Sequence, residues 1–469
     1  MTSNLLDATD LRPVHFIGIA GAGMSGLAEL LVRRGVRVAG TDANAAGAPD
    51  LTALGVSVSG HNAELVRLAR AVVYSSAIPA SHPEMEMARS LGLPVIRRAE
   101  ALAEAVSGGT LIGVAGTHGK TTTTVMATEA LTSAKRSPTG VVGGRVGNWE
   151  GNLKLGTLES DKALYVVESD EYDRSFLALA PHVAVVLNVE ADHLDIYRDL
   201  ADIKQAFEQF VSTAAFVIRC ADDAGALALN VGASQSDMLY SATAPGDAPS
   251  LGAAVARLVA SQIQLSAAGA QFDVVLDGEL LGHVSLAVPG MHNVRNALAA
   301  IGAGLSVGAS VNDMAPGLAG FHGVERRFQR LGHVGSIDVV DDYAHHPTEV
   351  RATLAAARHA FPGRRIVVVF QPHLYSRTRD LHAEFAAALS AADALFLCDI
   401  YGARETPDPL VTSRLIGDLV PDAILQWQGP RALAAAAVGK ALHPNDVVIT
   451  MGAGDVTQVG PVLLRAMQA

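Results

Sequence analysis

The sequence predicts an α/β chain of three domains built on mostly parallel sheets. Three observations carry that expectation. Short apolar runs alternate with longer Ala/Leu-rich segments along most of the chain, the pattern of repeated strand–helix units. Two glycine-rich turns each follow an apolar run and lead into a helical pattern. The length, 469 residues, fits about three domains at roughly 150 residues each. Boundaries are expected at Ser107-Gly108-Gly109 and after Gly320, giving segments 1–107, 108–321 and 322–469.

Taken in order, runs 14–19, 36–41 and 71–75 read as buried parallel strands, with helices over 26–34 and 63–70 between them. A second strand series occupies 111–115, 163–168, 183–188 and 215–219. Residues 263–288 alternate apolar and polar with Ala268-Gly269 and Asp277-Gly278 as turns, so antiparallel hairpins are expected there, added to the middle segment. A third series follows at 337–341, 365–370, 394–400 and 446–451. No internal repeat stands out.

Composition narrows the function classes. Hydrophobic residues are 49% and charged residues 17%, which excludes a disordered chain. Lys plus Arg number 35 against 47 Asp plus Glu, a formal net charge of −12. Such a surface disfavours nucleic acid and anionic membranes as partners. Cys220 and Cys398 lie far apart, against a disulfide scaffold or a cysteine-built zinc site and in keeping with a reducing cytoplasm. Mean hydropathy is positive, but through scattered Ala and Val. The most Ala-rich stretch, 432–442, is cut by Lys440 and is too short to span a bilayer. Residues 1–13 carry Asp7 and Asp10 without an apolar run, so no signal peptide is expected.

The first glycine turn reads Gly21-Ala22-Gly23-Met24-Ser25-Gly26 after the first strand, with Asp42 about 20 residues on, at the end of the next. That layout suits the diphosphate of a nucleotide: the backbone comes close and the helix N-terminus, expected at Ser25-Gly26, offers free N–H groups. Packing alone is the competing explanation for these glycines. Asp42 is placed to accept from a ribose or other hydroxyl. His61, Ser75 and Ser76 belong to strand ends facing the same crevice, although a plain strand-ending turn accounts for the serines equally well.

The second turn is a phosphate loop. Gly116-Thr117-His118-Gly119-Lys120-Thr121-Thr122 joins the strand at 111–115 to a helix. Backbone N–H groups surround phosphate oxygens, the lysine reaches the terminal phosphates, and the next hydroxyl ligates Mg²⁺. The strict spacing would put Gly at 114, which is Val, so the loop is a variant. Glu168, at the tip of the strand 163–168 and opening Glu168-Ser169-Asp170-Glu171-Tyr172-Asp173, is placed to hold the metal. His193 lies among acids in Glu190-Ala191-Asp192-His193-Leu194-Asp195 and is a candidate for metal or phosphate contact. An NAD-dependent oxidoreductase needs only the first turn, and a simple ATPase only the second. An enzyme that uses ATP to activate a substrate bearing a nucleotide handle needs both.

These residues resemble the Mur ligase family over essentially the whole chain. The resemblance rests on His15-Phe-Ile-Gly-Ile-Ala-Gly-Ala-Gly-Met-Ser-Gly26, Ala115-Gly-Thr-His-Gly-Lys-Thr-Thr122 and the two acid motifs. It continues in Pro289-Gly-Met-His-Asn-Val-Arg-Asn296, Glu325-Arg-Arg-Phe328, Val340-Asp-Asp-Tyr-Ala-His-His-Pro-Thr348 and Phe370-Gln-Pro-His-Leu-Tyr-Ser-Arg-Thr-Arg379. The first and last of these segments are similar to the family's alanine-adding branch. The resemblance implies a Rossmann-like N-terminal domain for UDP-N-acetylmuramate, a central P-loop ATPase domain and a Rossmann-like C-terminal domain that admits the amino acid. It implies an ATP-dependent ligase of peptidoglycan synthesis that joins L-alanine to the lactyl carboxylate through an acyl phosphate.

By the same resemblance His193 helps hold a second Mg²⁺, Asn293 and Asn296 meet adenine, and Arg327 and Asp342 reach ATP. Helix capping is the alternative for the two asparagines. Tyr343, His345, His346, Arg377 and Arg379 become candidates for the alanine and substrate-carboxylate end, with helix capping as the alternative for the histidine pair. Gly452-Ala453-Gly454-Asp455 is expected to be a structural turn. The chain departs from the family pattern at Ala20, where glycine is commoner, and at Ser169 and Tyr172 in the acid motif. Where several members carry a carbamylated lysine this chain has Gln205-Ala206-Phe207-Glu208, so none is expected and the second metal's ligands stay open. The alternatives are a ligase that recycles a preformed tripeptide, an NAD-dependent oxidoreductase and a non-catalytic nucleotide-binding scaffold. The oxidoreductase leaves Gly119-Lys120-Thr121 and Glu168 without a role.

Overall fold

Three sheets organise the chain, described in a computed structural model over residues 5–149, 151–159, 162–193, 196–243, 255–403 and 405–468. The first holds β1 (Val14–Ile17), β2 (Val38–Thr41), β3 (Ser57–Ser59), β4 (Ala71–Tyr74) and β5 (Val95–Arg97) in the order β3-β2-β1-β4-β5, all parallel. β1 is buried along its whole length, as expected for a parallel strand covered on both faces. Two expectations need correction. The helix after the glycine turn begins at Ala22, not at Ser25-Gly26. The helix expected over 63–70 is a 3-10 segment, Ala63–Leu68, capped by the Asn62 side chain.

The second sheet has ten strands: β6 (Thr110–Ala115), β7 (Thr139–Val146), β8 (Gly151–Lys154), β9 (Leu164–Glu168), β10 (Val183–Val186), β11 (Phe216–Cys220), β12 (Ser236–Ala242), β13 (Leu258–Ser266), β14 (Gly269–Leu276) and β15 (Glu279–Leu286). Their order is β15-β14-β13-β12-β11-β10-β6-β9-β7-β8. β6 pairs in parallel with both β10 and β9, so the tips of all three lie side by side. Two-residue connections make β13 to β15 hairpins, which only antiparallel strands allow. Asp277 and Gly278 both have positive φ, 51° and 86°, as a type I′ turn requires. The other turn falls on Ala267-Ala268, one residue earlier than expected.

The third sheet holds β16 (Gln329–Val334), β17 (Ile337–Asp342), β18 (Ile366–Phe370), β19 (Ala394–Cys398), β20 (Leu425–Gly429) and β21 (Val447–Met451), ordered β16-β17-β21-β18-β19-β20. Only β16 runs antiparallel. Alternate side chains enter separate cores. Val340, Val368 and Ile449 pack with Leu354 and Phe385 of the helices Pro347–Ala360 and Tyr375–Leu389. Val339, Val367 and Val448 pack with Val438 and Leu463 of the helices Arg431–Ala441 and Val459–Gln468. This is a doubly wound, Rossmann-like layer order.

By compactness the chain divides into two units. The first gathers the residues up to Ser261 with Phe272–Val284 and Arg295–Gly320. The second gathers Gln262–Gln271, Ser285–Val294 and the chain from Phe321 onward. No described helix is long and apolar enough to cross a membrane.

Candidate active site

The phosphate loop sits at the carboxyl end of β6. Gly116 has φ 148° and Gly119, which caps the helix Lys120–Ser133, has φ 84°. Those conformations strain any residue with a Cβ. Asn188, beyond the tip of β10, holds the loop open: its Oδ1 accepts from the His118 amide at 2.7 Å and its Nδ2 donates to the His118 carbonyl at 3.1 Å. Thr117 Oγ1 accepts from the Glu190 amide at 2.9 Å. Asn296, in the helix Met291–Ser306, stands beside the loop, since a Cβ on Gly119 would come within 2.8 Å of its Oδ1. Asn293 is in the same helix, but its side chain donates to the Pro289 carbonyl at 2.7 Å.

Lys120 folds back over the loop. Its Nζ donates to the Gly116 carbonyl at 2.8 Å and to Glu171 Oε2 at 2.7 Å, with Asp170 3.8 Å away. Burial disfavours the ammonium, but the Glu171 and Asp170 charges outweigh it and raise the lysine pKa. Glu168 accepts from Thr121 Oγ1 at 2.9 Å and from the Gly143 amide at 2.7 Å. Burial pushes its carboxyl up, only partly offset by that amide and by Lys120. Glu171, a member of the same acid motif, has no role assigned from the sequence. It is 2% exposed, and although burial pushes its carboxyl up, Lys120 overrides this and lowers the pKa. Its Oε1 is buried without a hydrogen bond among the described residues and stands 3.6 Å from His193 Nε2. Burial likewise works against a charged His193, but Glu171 and Asp192 outweigh it and raise the pKa. Leu194 and Asp195 of that motif lie outside the described residues. Lys204, the lysine nearest the stretch 205–208, pairs with Glu208.

The donor set therefore fits a divalent cation. Two donor pairs flank the phosphate loop, the Thr121 hydroxyl with half-buried Glu168 and the His193 imidazole with buried Glu171, which has an unpartnered oxygen among the described residues, oxygen-rich chemistry of the kind Mg²⁺ takes.

In the N-terminal sheet the glycine turn yields fewer donors than expected. The Met24 and Ser25 amides both donate to the Gly21 carbonyl, at 2.9 and 2.8 Å, so they are already engaged within the first helical turn. The Met24 side chain is buried in the core, and Ser25 Oγ accepts from Asn152 Nδ2 at 3.4 Å. Asp42 accepts from the Ala20 and Asn44 amides at 3.0 and 2.8 Å, so it also ties down the turn. Ser75 is half-buried and Ser76 exposed just beyond β4. His61 is held by buried Glu84, 3.1 Å from its Nδ1. Glu84 also takes His15 Nε2 at 2.8 Å, Thr41 Oγ1 at 2.7 Å and the Asn62 amide at 3.0 Å. Burial favours its neutral form, yet the His15 and Thr41 hydrogen bonds prevail and hold the pKa at about 2. An ionised carboxylate only accepts, so His61 Nδ1 donates to it.

In the second unit the candidates divide. Tyr343 lies under the Arg326 and Arg327 guanidinium groups, 4.7 and 5.1 Å from the ring centre, and 5.1 Å from the His345 ring. His345 neighbours His373, which stacks on Tyr401, and buried Arg377 reaches His373 Nδ1 at 3.5 Å. His373 and Tyr401 were missed, coming from different loops. Several candidates have partners of their own. His346 is the N-cap of Pro347–Ala360, accepting from the Thr348 amide. Arg379 is exposed and paired with Asp380. Two residues apart on one helix, Arg377 and Arg379 point to different sides. Asp342 accepts from the Phe328 and Ala344 amides at 2.7 and 2.8 Å, and burial lifts its carboxyl to about 6 against the pull of Arg327. Arg327 itself reaches Glu349 at 3.4 Å. Gly452 and Gly454 offer their carbonyls to Arg326 Nη2.

Three family models match in sequence along the chain. The "Mur ligase family, catalytic domain" covers residues 13–110, the "Mur ligase middle domain" 114–304, and "Mur ligase, glutamate ligase domain" 326–454. The UDP-N-acetylmuramate–L-alanine ligase of Renibacterium salmoninarum is 44% identical, over 98% of this chain and 97% of its own. The enzyme of the same name from Mycobacterium ulcerans is 42% identical, over 98% and 95%. Among solved structures, the Thermotoga maritima UDP-N-acetylmuramate–alanine ligase superposes with a TM-score of 0.79 at 27% identity, over 97% of this chain and 99% of that one. A murein peptide ligase from Psychrobacter arcticus gives 0.70 at 25% identity, over 97% and 98%.

Proposed function

The chain belongs to the Mur ligase family, and on that premise we propose that it is a cytoplasmic, ATP-dependent ligase of peptidoglycan synthesis. It joins L-alanine to the lactyl carboxylate of UDP-N-acetylmuramate and releases ADP and phosphate. The observation that carries this reading is the phosphate loop beyond β6, where Lys120 holds Glu171 and Thr121 holds Glu168, in a chain that also has a glycine turn for a second nucleotide. Segments 1–107, 108–321 and 322–469 take the UDP-sugar, ATP and the amino acid respectively.

A carboxylate resists amine attack because its leaving group would be oxide. Transfer of the γ-phosphoryl breaks the bond to ADP and forms one to a lactyl oxygen, supplying a leaving group. Lys120 turns from Glu171 toward the phosphates and offsets the charge that develops on the transferring group. Thr121 and Glu168 would hold Mg²⁺, and His193 with Glu171 a second ion, which would supply further neutralisation of phosphate oxygens. Asn296 and Asn293 meet adenine, and Arg327 and Asp342 reach ATP. Tyr343, His345 and Arg377 orient alanine, so that its neutral amine attacks the acyl carbon at high effective concentration. The amine loses its proton and phosphate departs.

Phosphate release tests the proposal. With UDP-N-acetylmuramate and ATP, L-alanine should support turnover and the preformed tripeptide should not. No release with L-alanine refutes it. Release with the tripeptide instead would assign the tripeptide-recycling reaction.

A further inference from the structure

Arg98 was no part of the sequence-based site. It follows β5 and opens the helix Arg98–Ala105. Its side chain lies against the glycine turn. A Cβ on Gly23 would come within 3.2 Å of Arg98 Nη1 and 3.5 Å of its Cδ and Cζ. The absence of a side chain at Gly23 thus makes room for this guanidinium against the turn.

Among the described residues Arg98 makes no hydrogen bond and no ion pair, whereas its neighbour Arg97 pairs with Asp173. The nearest acid of the turn, Asp42, is engaged with the Ala20 and Asn44 amides. No acid stands in the first turn of Ala22–Arg33. Arg98 is only half-buried, so the charge is reachable from solvent. A planar fork of donors held over a glycine turn matches a phosphate oxygen pair better than a single carbonyl.

We infer that Arg98 is a substrate-binding residue, the cation that grips the diphosphate of the nucleotide sugar on the glycine turn. The inference rests on the proposed UDP-sugar reading of that turn. It also makes the diphosphate, rather than the uracil or the sugar, the part of the ligand that Arg98 reads.

Titration calorimetry with UDP-N-acetylmuramate, UDP and uridine tests it on the full-length wild type, Arg98→Ala and Arg98→Gln, the last keeping much of the side chain without its charge. Losing charge-assisted hydrogen bonds should weaken UDP-N-acetylmuramate and UDP by about ten- to a hundredfold in both variants. Uridine binding, the KM for ATP and the thermal midpoint should stay near wild type. Unchanged UDP affinity in either folded variant overturns the inference. An equal loss for uridine also overturns it, since Arg98 would then act through the shape of the crevice. A wild type that binds no UDP-N-acetylmuramate refutes the proposed function itself, an outcome distinct from both.

Discussion

Replacing Lys120 by alanine separates the electrostatics of the site from its chemistry. In the free enzyme Lys120 Nζ lies 2.7 Å from Glu171 Oε2, and Glu171 is 2% exposed. Removing the ammonium strands a buried carboxylate, a defect worth roughly 3–5 kcal/mol when one partner of a buried pair is deleted. Glu171 relieves part of that by taking a proton, so the deficit should shrink as pH falls. On the chemical side, deleting a group that neutralises developing charge costs roughly 10²–10³ in turnover. The two effects come apart in the double variant Lys120→Ala/Glu171→Gln, where no buried charge is stranded. Chemical denaturation should show the single variant destabilised by a few kcal/mol and the double variant largely restored. Phosphate release should stay low in both. Calorimetry should find UDP-N-acetylmuramate binding intact, because the glycine turn is untouched. Wild-type turnover in Lys120→Ala would refute the role of the lysine. A double variant no more stable than the single would refute the pairing, and loss of UDP-sugar binding in a folded variant would contradict the division of labour.

Two further predictions concern other parts of the chain. Glu84 has its pKa held at about 2 against an ordinary 4.5, so its stabilisation is present above pH 4.5 and is lost as pH falls from there toward 2. The linkage is worth roughly 3 kcal/mol. Glu84→Gln should lower the neutral-pH denaturation midpoint and flatten the acid limb between those pH values, and an unchanged limb would count against the network. In the second unit, Arg377→Ala should raise the KM for L-alanine at least tenfold, as expected for removing a buried charged donor. Exposed Arg379→Ala should leave KM and kcat near wild type, and steady-state kinetics with L-alanine varied would expose the reverse order.

How much was legible in the sequence follows from physical range. β6, β9, β10, β17, β18 and β21 are apolar runs long enough to announce themselves, because parallel strands are buried on both faces. β3 and β5 have three residues each, too few for any period. β16 and β20 are half-exposed edge strands, Gln-Arg-Leu-Gly-His-Val and Leu-Gln-Trp-Gln-Gly, and lack a buried run. The pairing of Thr121 with Glu168 could be anticipated since phosphate loops take their metal-binding acid from a nearby strand tip. Asn188, Glu171, Glu84 and Arg98 could not, because their partners depend on which strands lie side by side. Asn188 clamps the phosphate loop only because β10 is next to β6. Arg377 and Arg379 form a plausible pair in the sequence and are parted by the turn of one helix. His346 belongs to a helix cap that its position before Pro347 already allowed.

The most direct test of the central claim follows oxygen. UDP-N-acetylmuramate labelled with heavy oxygen in both positions of the lactyl carboxylate would be turned over with ATP and L-alanine, and the released phosphate examined by mass spectrometry. If the carboxylate is activated as an acyl phosphate, one labelled oxygen leaves with each phosphate and one stays in the new amide. Phosphate free of label, alongside normal formation of UDP-N-acetylmuramoyl-L-alanine, would contradict the account.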